Sequence, residues 1–208
     1  MLLCDIGNTS YHFLKGDKEF KKDVDTFDPS TIKERTYYIS VNKAVSQKLH
    51  LLENWIDLSS FIDWEKYYET MGVDRIFAIE AVENGIIIDA GSAITVDVVH
   101  NGAFEGGFIY PGLKAIELAY KNISPVLETT INFELDMSCL PKNTHNAISY
   151  AYLKPLRDEV LSHNLPIILT GGDASQLKKI FPEAKVETKL IFTSMQKIIA
   201  SGSVKITV

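Results

Sequence analysis

The sequence holds 208 residues, 46% of them apolar, with a formal net charge of −6. A chain of that size fits one compact domain or two small lobes, and its negative charge argues against a broad nucleic-acid or anionic-membrane surface. No apolar run approaches the roughly 20 residues of a membrane span, and Asp5 interrupts the N-terminal apolar stretch, so a cytoplasmic protein working on small molecules is expected.

The chain opens on "LLCDIGNTSYHFL" from Leu2: an apolar strand, an Asp-x-Gly turn with small polar residues, and a return strand of alternating character. Gly16-Asp17 turns that strand into a third, "KEFKKDV", completing a meander. Asp28 before Pro29 signals a helix N-cap. "TYYISV" reads as a buried strand, followed by a helix from Asn42 to about Asn54. "MGVDRIFAIEAV" from Met71 begins another helix with Asp74 and Arg75 near its start. Taken alone, these two are an N-cap and an ion-paired or solvated side chain.

From Ile86, "IIIDAGSAITVDVV" repeats the opening pattern of strand, Asp-x-Gly, small polar residues and return strand, and Asn101-Gly102 turns it into "AFEGGFIY". Gly106-Gly107 reads as the relaxed end of that strand. Pro111 opens the helix "PGLKAIELAYKNI", and "HNAISYAYLKPLRDEVLSH" is also helical. "LPIILTGG" is a buried strand ending in Gly171-Gly172. That pair is either a strand-to-helix junction that lets a nucleotide approach closely or a plain crossover turn. "TKLIFTSMQKIIASG" is a helix stopped by Gly202, and "SVKITV" reads as a last strand.

The two meanders, each followed by alternating helices and strands, imply an α/β fold built twice: residues 1–84 and 85–208, two lobes with mixed sheets and a cleft between them. One Asp-x-Gly turn is an ordinary hairpin feature. A matched pair with matched flanks suits a metal-bound polyphosphate, because turn N–H groups donate to phosphate oxygens and the carboxylates hold the cation. The pattern resembles that of the sugar kinase, Hsp70 and actin superfamily, which implies a duplicated ribonuclease-H-like (actin-like ATPase) unit. No GxxxxGK[ST] is present, and no GxGxxG leads from a strand into a helix. Cys4 and Cys139 form no CxxC pair, and the five histidines lack metal-ligand spacing.

Together these segments resemble the type III pantothenate kinases. "DIGNTS" at 5–10 is similar to that family's first phosphate motif, "GVDR" at 72–75 to its substrate motif, and "DAGSAITVD" at 89–97 to its second phosphate motif. "GGFIYPG" and "TGGDA" follow in the expected order. The resemblance implies transfer of phosphate from ATP to pantothenate, the first step of coenzyme A biosynthesis. Asp5, Ile6, Gly7, Asn8, Thr9, Ser10, Tyr11 and His12 would line the ATP phosphates, with Asp5 nearest the Mg²⁺. Asp74 would be the general base, and Gly72, Val73, Asp74 and Arg75 would hold pantothenate. Asp89 would ligate a monovalent cation, K⁺ or NH₄⁺; Ser92, Gly171 and Gly172 would contact ATP.

"KNTHNAISY" resembles the segment that sends a threonine into the neighbouring subunit's substrate site, which makes Thr144 a binding candidate and implies a homodimer. A substrate-side tyrosine is expected ahead of "GVDR", and either Tyr67 or Tyr68 could serve. Another metabolite kinase or a phosphatase of the same superfamily, or a nucleotide-binding regulator, would share the two turns. Retention of Asp5, Asp74 and Asp89 favours the kinase, because a regulator has no physical need for three carboxylates in one site.

Overall fold

Alternation of apolar and polar residues with glycine at the turns yields the two meanders where the sequence places them. The computed structural model describes residues 1–201. The first meander is β1 (Leu2–Ile6), β2 (Ser10–Lys15) and β3 (Lys18–Asp23). The chain continues through β4 (Thr36–Ser40), α1 (Lys43–Leu49), β5 (Trp55–Asp57) and α2 (Val73–Glu80). The second meander is β6 (Gly85–Ala90), β7 (Ala93–His100) and β8 (Ala103–Pro111). It is followed by α3 (Leu113–Ile123), α4 (Thr144–Ser162), β9 (Ile167–Thr170), α5 (Ala174–Leu177), β10 (Lys185–Val186) and α6 (Leu190–Ala200).

The strands form two five-stranded mixed sheets, ordered β3-β2-β1-β4-β5 and β10-β9-β6-β7-β8. The two orders are the same once β1 is matched to β6, β2 to β7, β3 to β8, β4 to β9 and β5 to β10. In each, the central strand pairs antiparallel with the return strand of its hairpin and parallel with a crossover strand. The duplication legible in the two Asp-x-Gly segments therefore extends over whole sheets.

Contacts divide the chain into residues 1–81 with 189–201, and residues 82–188. The division differs from a cut at 84/85 in two respects: the boundary follows Ala81, and α6 packs on β1 and α2 of the first unit. In that unit Leu2, Cys4, Ile6, Tyr11, Phe13 and Tyr38 cluster with Val45 and Leu49 of α1 on one face of the sheet. The strand period of two then sends Asp5 and His12 to the opposite face, where His12 meets Phe192 of α6 at a ring separation of 5.0 Å. In the second unit Ile86, Ile88, Ala90, Ile94, Val96 and Leu169 face α4 residues Ile148, Tyr152, Leu153 and Leu156. The same alternation leaves Asp89, Thr95 and Thr170 on the other face.

Four local expectations change. The helix after Asp28 is a single 3-10 turn, Pro29–Thr31, with Asp28 accepting the Ser30 N–H. The helix capped by Asn42 stops at Leu49, short of Asn54, because Trp55–Asp57 is drawn into the sheet as β5 beside β4. Pro111 ends β8 instead of opening α3, whose N-cap is Gly112. Gly106-Gly107 lies within β8 opposite Val98 and Asp97, next to a register shift at Val98/Val99, and not at a strand end. Gly202 and "SVKITV" lie outside the described residues; α6 has Ser201 as its C-cap.

Candidate active site

The first turn is short because Gly7 donates its N–H to Ser10 O at 3.0 Å, which leaves Asn8 and Thr9 exposed at the tip between β1 and β2. The second is shorter still: Gly91 donates to Ala93 O at 3.0 Å, and Ser92 is exposed at the tip. Asp5 and Asp89 occupy matching positions, each the penultimate residue of its central strand.

Their flanks differ in chemistry. Asp5 stands between His12 of β2 and Ile39 of β4, whereas Asp89 stands between Thr95 of β7 and Thr170 of β9. Only the second turn thus has a carboxylate flanked by two hydroxyl side chains on one sheet face. That is an oxygen-only donor row of the kind hard cations prefer.

His12 is held from two directions. Its Nε2 is 2.9 Å from Glu19 Oε2 on β3, and Glu19 also lies 3.7 Å from Lys189 Nζ at the start of α6. Burial and the nearby Lys21 charge lower the imidazole pKa, while the Glu19 hydrogen bond and charge oppose them. Glu19→Gln removes the opposing influence, so the His12 pKa should fall further below the usual imidazole value near 6.5. NMR titration of the ring checks this; a rise would show that Glu19 does not act on His12 as the geometry indicates.

Asp74 lies in the first turn of α2, whose N-cap is Gly72 and not Asp74 itself. Its Oδ1 accepts the Arg75 N–H at 2.8 Å and sits over Gly72, where a Cβ would come within 2.5 Å of it. A glycine at 72 therefore leaves the carboxylate its place. Burial raises the Asp74 pKa, outweighing the Arg75 N–H and the Arg75 charge, which both lower it.

Arg75 is 7% exposed. Its Nη1 donates to Tyr68 Oη, and its Cζ stands 5.8 Å from the Tyr68 ring centroid. Tyr67 instead donates to Glu80 Oε1 at 2.8 Å. Of the two tyrosines left open by the sequence, Tyr68 is the one joined to the "GVDR" segment's arginine. Val73, the other member of that segment, is buried.

Gly171 joins β9 to α5 with φ +86°, and a Cβ there would meet Asp89 Oδ1 and come within 2.5 Å of the Ala90 carbonyl oxygen. Asp173 then donates its N–H to that same Ala90 carbonyl at 2.9 Å. Gly172 borders open space. Within the second unit the structure brings Asp89, Ser92 and Gly171 together around one turn. Thr144 is elsewhere, exposed as the first residue of α4 beneath the Asn143 cap and bordering a depression of about 480 Å³ with Tyr120, Pro141 and Lys142. Sequence reasoning missed Thr170 and Glu19. Each is ordinary in its own segment and acquires meaning only from strand register.

Among the described residues, no group of three or more His, Cys, Asp or Glu could hold a metal ion, and no helix is long and apolar enough to cross a membrane.

Comparison with known proteins adds to this geometry. Residues 42–160 match the family model for type III pantothenate kinases. The chain is 53% identical over 203 residues to the type III pantothenate kinase of Sulfurimonas denitrificans, covering 98% of this chain and 99% of that one. It is 36% identical to that of Campylobacter jejuni, with 96% of both chains covered. A solved Campylobacter jejuni structure, described under the Baf family of transcriptional activators, superposes with a TM-score of 0.88 at 35% identity over 97% of this chain and 98% of that one. A Sinorhizobium meliloti structure described as a 2-dehydro-3-deoxygalactonokinase superposes with a TM-score of 0.58 at 7% identity, covering 100% of this chain and 97% of that one, a likeness of fold alone. With both Asp-x-Gly turns, the Gly72–Arg75 segment and nearly full-length identity to its members in one chain, this protein belongs to the type III pantothenate kinase family.

Proposed function

We propose that this chain transfers the γ-phosphoryl group of ATP to the primary hydroxyl of pantothenate, the first step of coenzyme A biosynthesis, in the cytoplasm. The observation that carries the assignment of roles is the start of α2. A carboxyl held above its usual pKa by burial adjoins a guanidinium fixed by Tyr68. Asp74 accepts the hydroxyl proton as general base. Arg75, whose planar fork suits a carboxylate, pairs with the pantothenate carboxylate, and Gly72 and Val73 complete the binding segment. Phosphoryl transfer passes through a loose transition state, so positioning and charge neutralisation account for most of the catalysis.

Asp5, the turn from Gly7 to Ser10, and His12 would hold the nucleotide phosphates, with Asp5 nearest the Mg²⁺ that would accompany them; Ile6 and Tyr11, buried in the core of the first unit, would contribute main-chain groups alone. Ser92, Gly171 and Gly172 contribute the rest of the ATP site. The donor row of Asp89, Thr95 and Thr170 fits a monovalent cation, K⁺ or NH₄⁺, better than Asp5 does between a histidine and an isoleucine. A cation held by these three residues would supply positive charge to offset that of the nucleotide.

A homodimer in which Thr144 serves the neighbouring copy's substrate site is supported by exposed Thr144 itself and by the apolar residues before it. Ile123, Val126 and Leu140 are 72%, 85% and 75% exposed.

The test is incubation of purified protein with ATP and Mg²⁺, with and without pantothenate and K⁺, following ADP release and phosphopantothenate by mass spectrometry. Product that requires pantothenate and rises with K⁺ is expected. Nucleotide binding without product would move the assignment to another substrate.

A further inference from the structure

We infer that Tyr152, through its hydroxyl, is a positioning residue for the second phosphate turn; the inference rests on the nucleotide role proposed above for Ser92 in that turn. Tyr152 lies on α4 and is 3% exposed. Its Oη donates to the carbonyl of Pro111, the last residue of β8. Tyr110 donates in return to the Tyr152 carbonyl at 2.9 Å, and the two rings are 5.0 Å apart. Three residues on, the continuous helix contains Pro155, which has no N–H to give the preceding turn. A strand end and a helix are thus joined by two reciprocal side-chain to main-chain bonds.

Filling the core there needs only the rings, and phenylalanine would supply them without the cost of burying a hydroxyl. What the Tyr152 hydroxyl adds is a fixed place for the Pro111–Gly112 backbone. That backbone lies directly under the second turn: a methyl group on Gly112 would come within 2.6 Å of the Gly91 carbonyl oxygen and would overlap that of Ser92. Both carbonyl oxygens therefore face Gly112. In a trans peptide the N–H points opposite to the carbonyl, so the N–H groups of Ser92 and Ala93 point away from Gly112 together. Adjacent N–H groups presented in one direction form an anion-binding concavity. The Tyr152–Pro111 bond holds the support on which this orientation depends. Burial and the neighbouring Tyr110, Asp173 and Glu117 groups keep the Tyr152 phenol protonated and able to donate throughout the working pH range.

Tyr152→Phe keeps the ring and removes the bond, and Tyr110→Phe does the same for its reciprocal partner. Two readouts are taken on each full-length variant: hydrogen exchange at the amides of residues 91–93 without ligand, and the KM values for ATP and pantothenate. For Tyr152→Phe, turn amides should exchange roughly 2- to 10-fold faster, the range given by one ordinary hydrogen bond, while amides of Ile88 and Val96 keep the parent's rate. The KM for ATP should rise by a similar factor with the KM for pantothenate unchanged. Tyr110→Phe, whose bond ends on α4 and not under the turn, should move the turn amides less. Exchange at the parent's rate in Tyr152→Phe overturns the inference, as does a parallel rise of both KM values. Faster exchange with an unchanged KM for ATP would leave the tether standing and overturn the nucleotide role of the turn, and with it the positioning role.

Discussion

Asp74→Asn is expected to lower kcat by about 10²- to 10⁴-fold, the usual contribution of a general base, while a titration with a fluorescent ATP analogue gives the parent's affinity. The same variant should be at least as stable as the parent at neutral pH. Burial raises the Asp74 pKa in the folded chain, so between the unfolded value near 3.9 and the raised folded value the native state binds more protons than the unfolded state. Stability contributed by this group therefore falls as pH rises through that window, and at neutral pH its ionised form is a net cost that asparagine does not carry. A base acts only when ionised, so kcat/KM for pantothenate in the parent should fall toward acid with an apparent pKa above the ordinary carboxylate range. Full turnover in Asp74→Asn would remove the base assignment. A large loss of melting temperature at pH 7 would mean that Asp74 serves mainly to hold the start of α2.

Gly171→Ala is expected to damage the second unit more than any other single methyl group. The backbone there has φ +86°, and the new carbon would meet the Asp89 carboxylate and come within 2.5 Å of the Ala90 carbonyl oxygen. Left-handed backbone at a non-glycine residue and overpacking each cost on the order of 1–3 kcal/mol, so the loss should be at least about 2 kcal/mol. Because the nearest obstacle is the Asp89 side chain, any variant that still folds should also lose stimulation by K⁺. Urea denaturation followed by a K⁺ titration of the activity checks both. A midpoint equal to the parent's would mean that the β9–α5 junction yields without disturbing Asp89.

Much of the fold was legible because its signals are local. Glycine turns flanked by period-two apolar residues place β1 to β3 and β6 to β8, and the matched Asp-x-Gly segments announce the duplication. The missed elements have weak or competing local signals. β5 and β10 are three and two residues long, too short for a period, and exist because a neighbouring parallel strand receives them. The sequence after Asp28 carries a good cap, yet the cap serves one 3-10 turn, and Asn54 Nδ2 then ties the Ile32 and Glu34 carbonyls into a loop. The site divides in the same way. Asp5, Asp74, Asp89 and Gly171 stand in recognisable segments. The pairing of Asp89 with Thr170 spans most of the second unit and is set by parallel register, while the partners of the two adjacent tyrosines, Arg75 for Tyr68 and Glu80 for Tyr67, are set by packing that no local pattern announces.

The assignment of α6 to the first unit has a consequence for the order of events at the ribosome. Residues 82–188 must all be synthesised before the helix that covers β1 and the apolar side of α2 exists. The nascent first unit carries its sheet with that face uncovered, while the second unit has its whole core in one unbroken stretch of chain. Vectorial synthesis therefore favours maturation of the second unit ahead of the first, reversing the usual N-to-C sequence of domain folding. A stalled chain ending before Lys189 should present a protease-sensitive first unit beside a resistant second one.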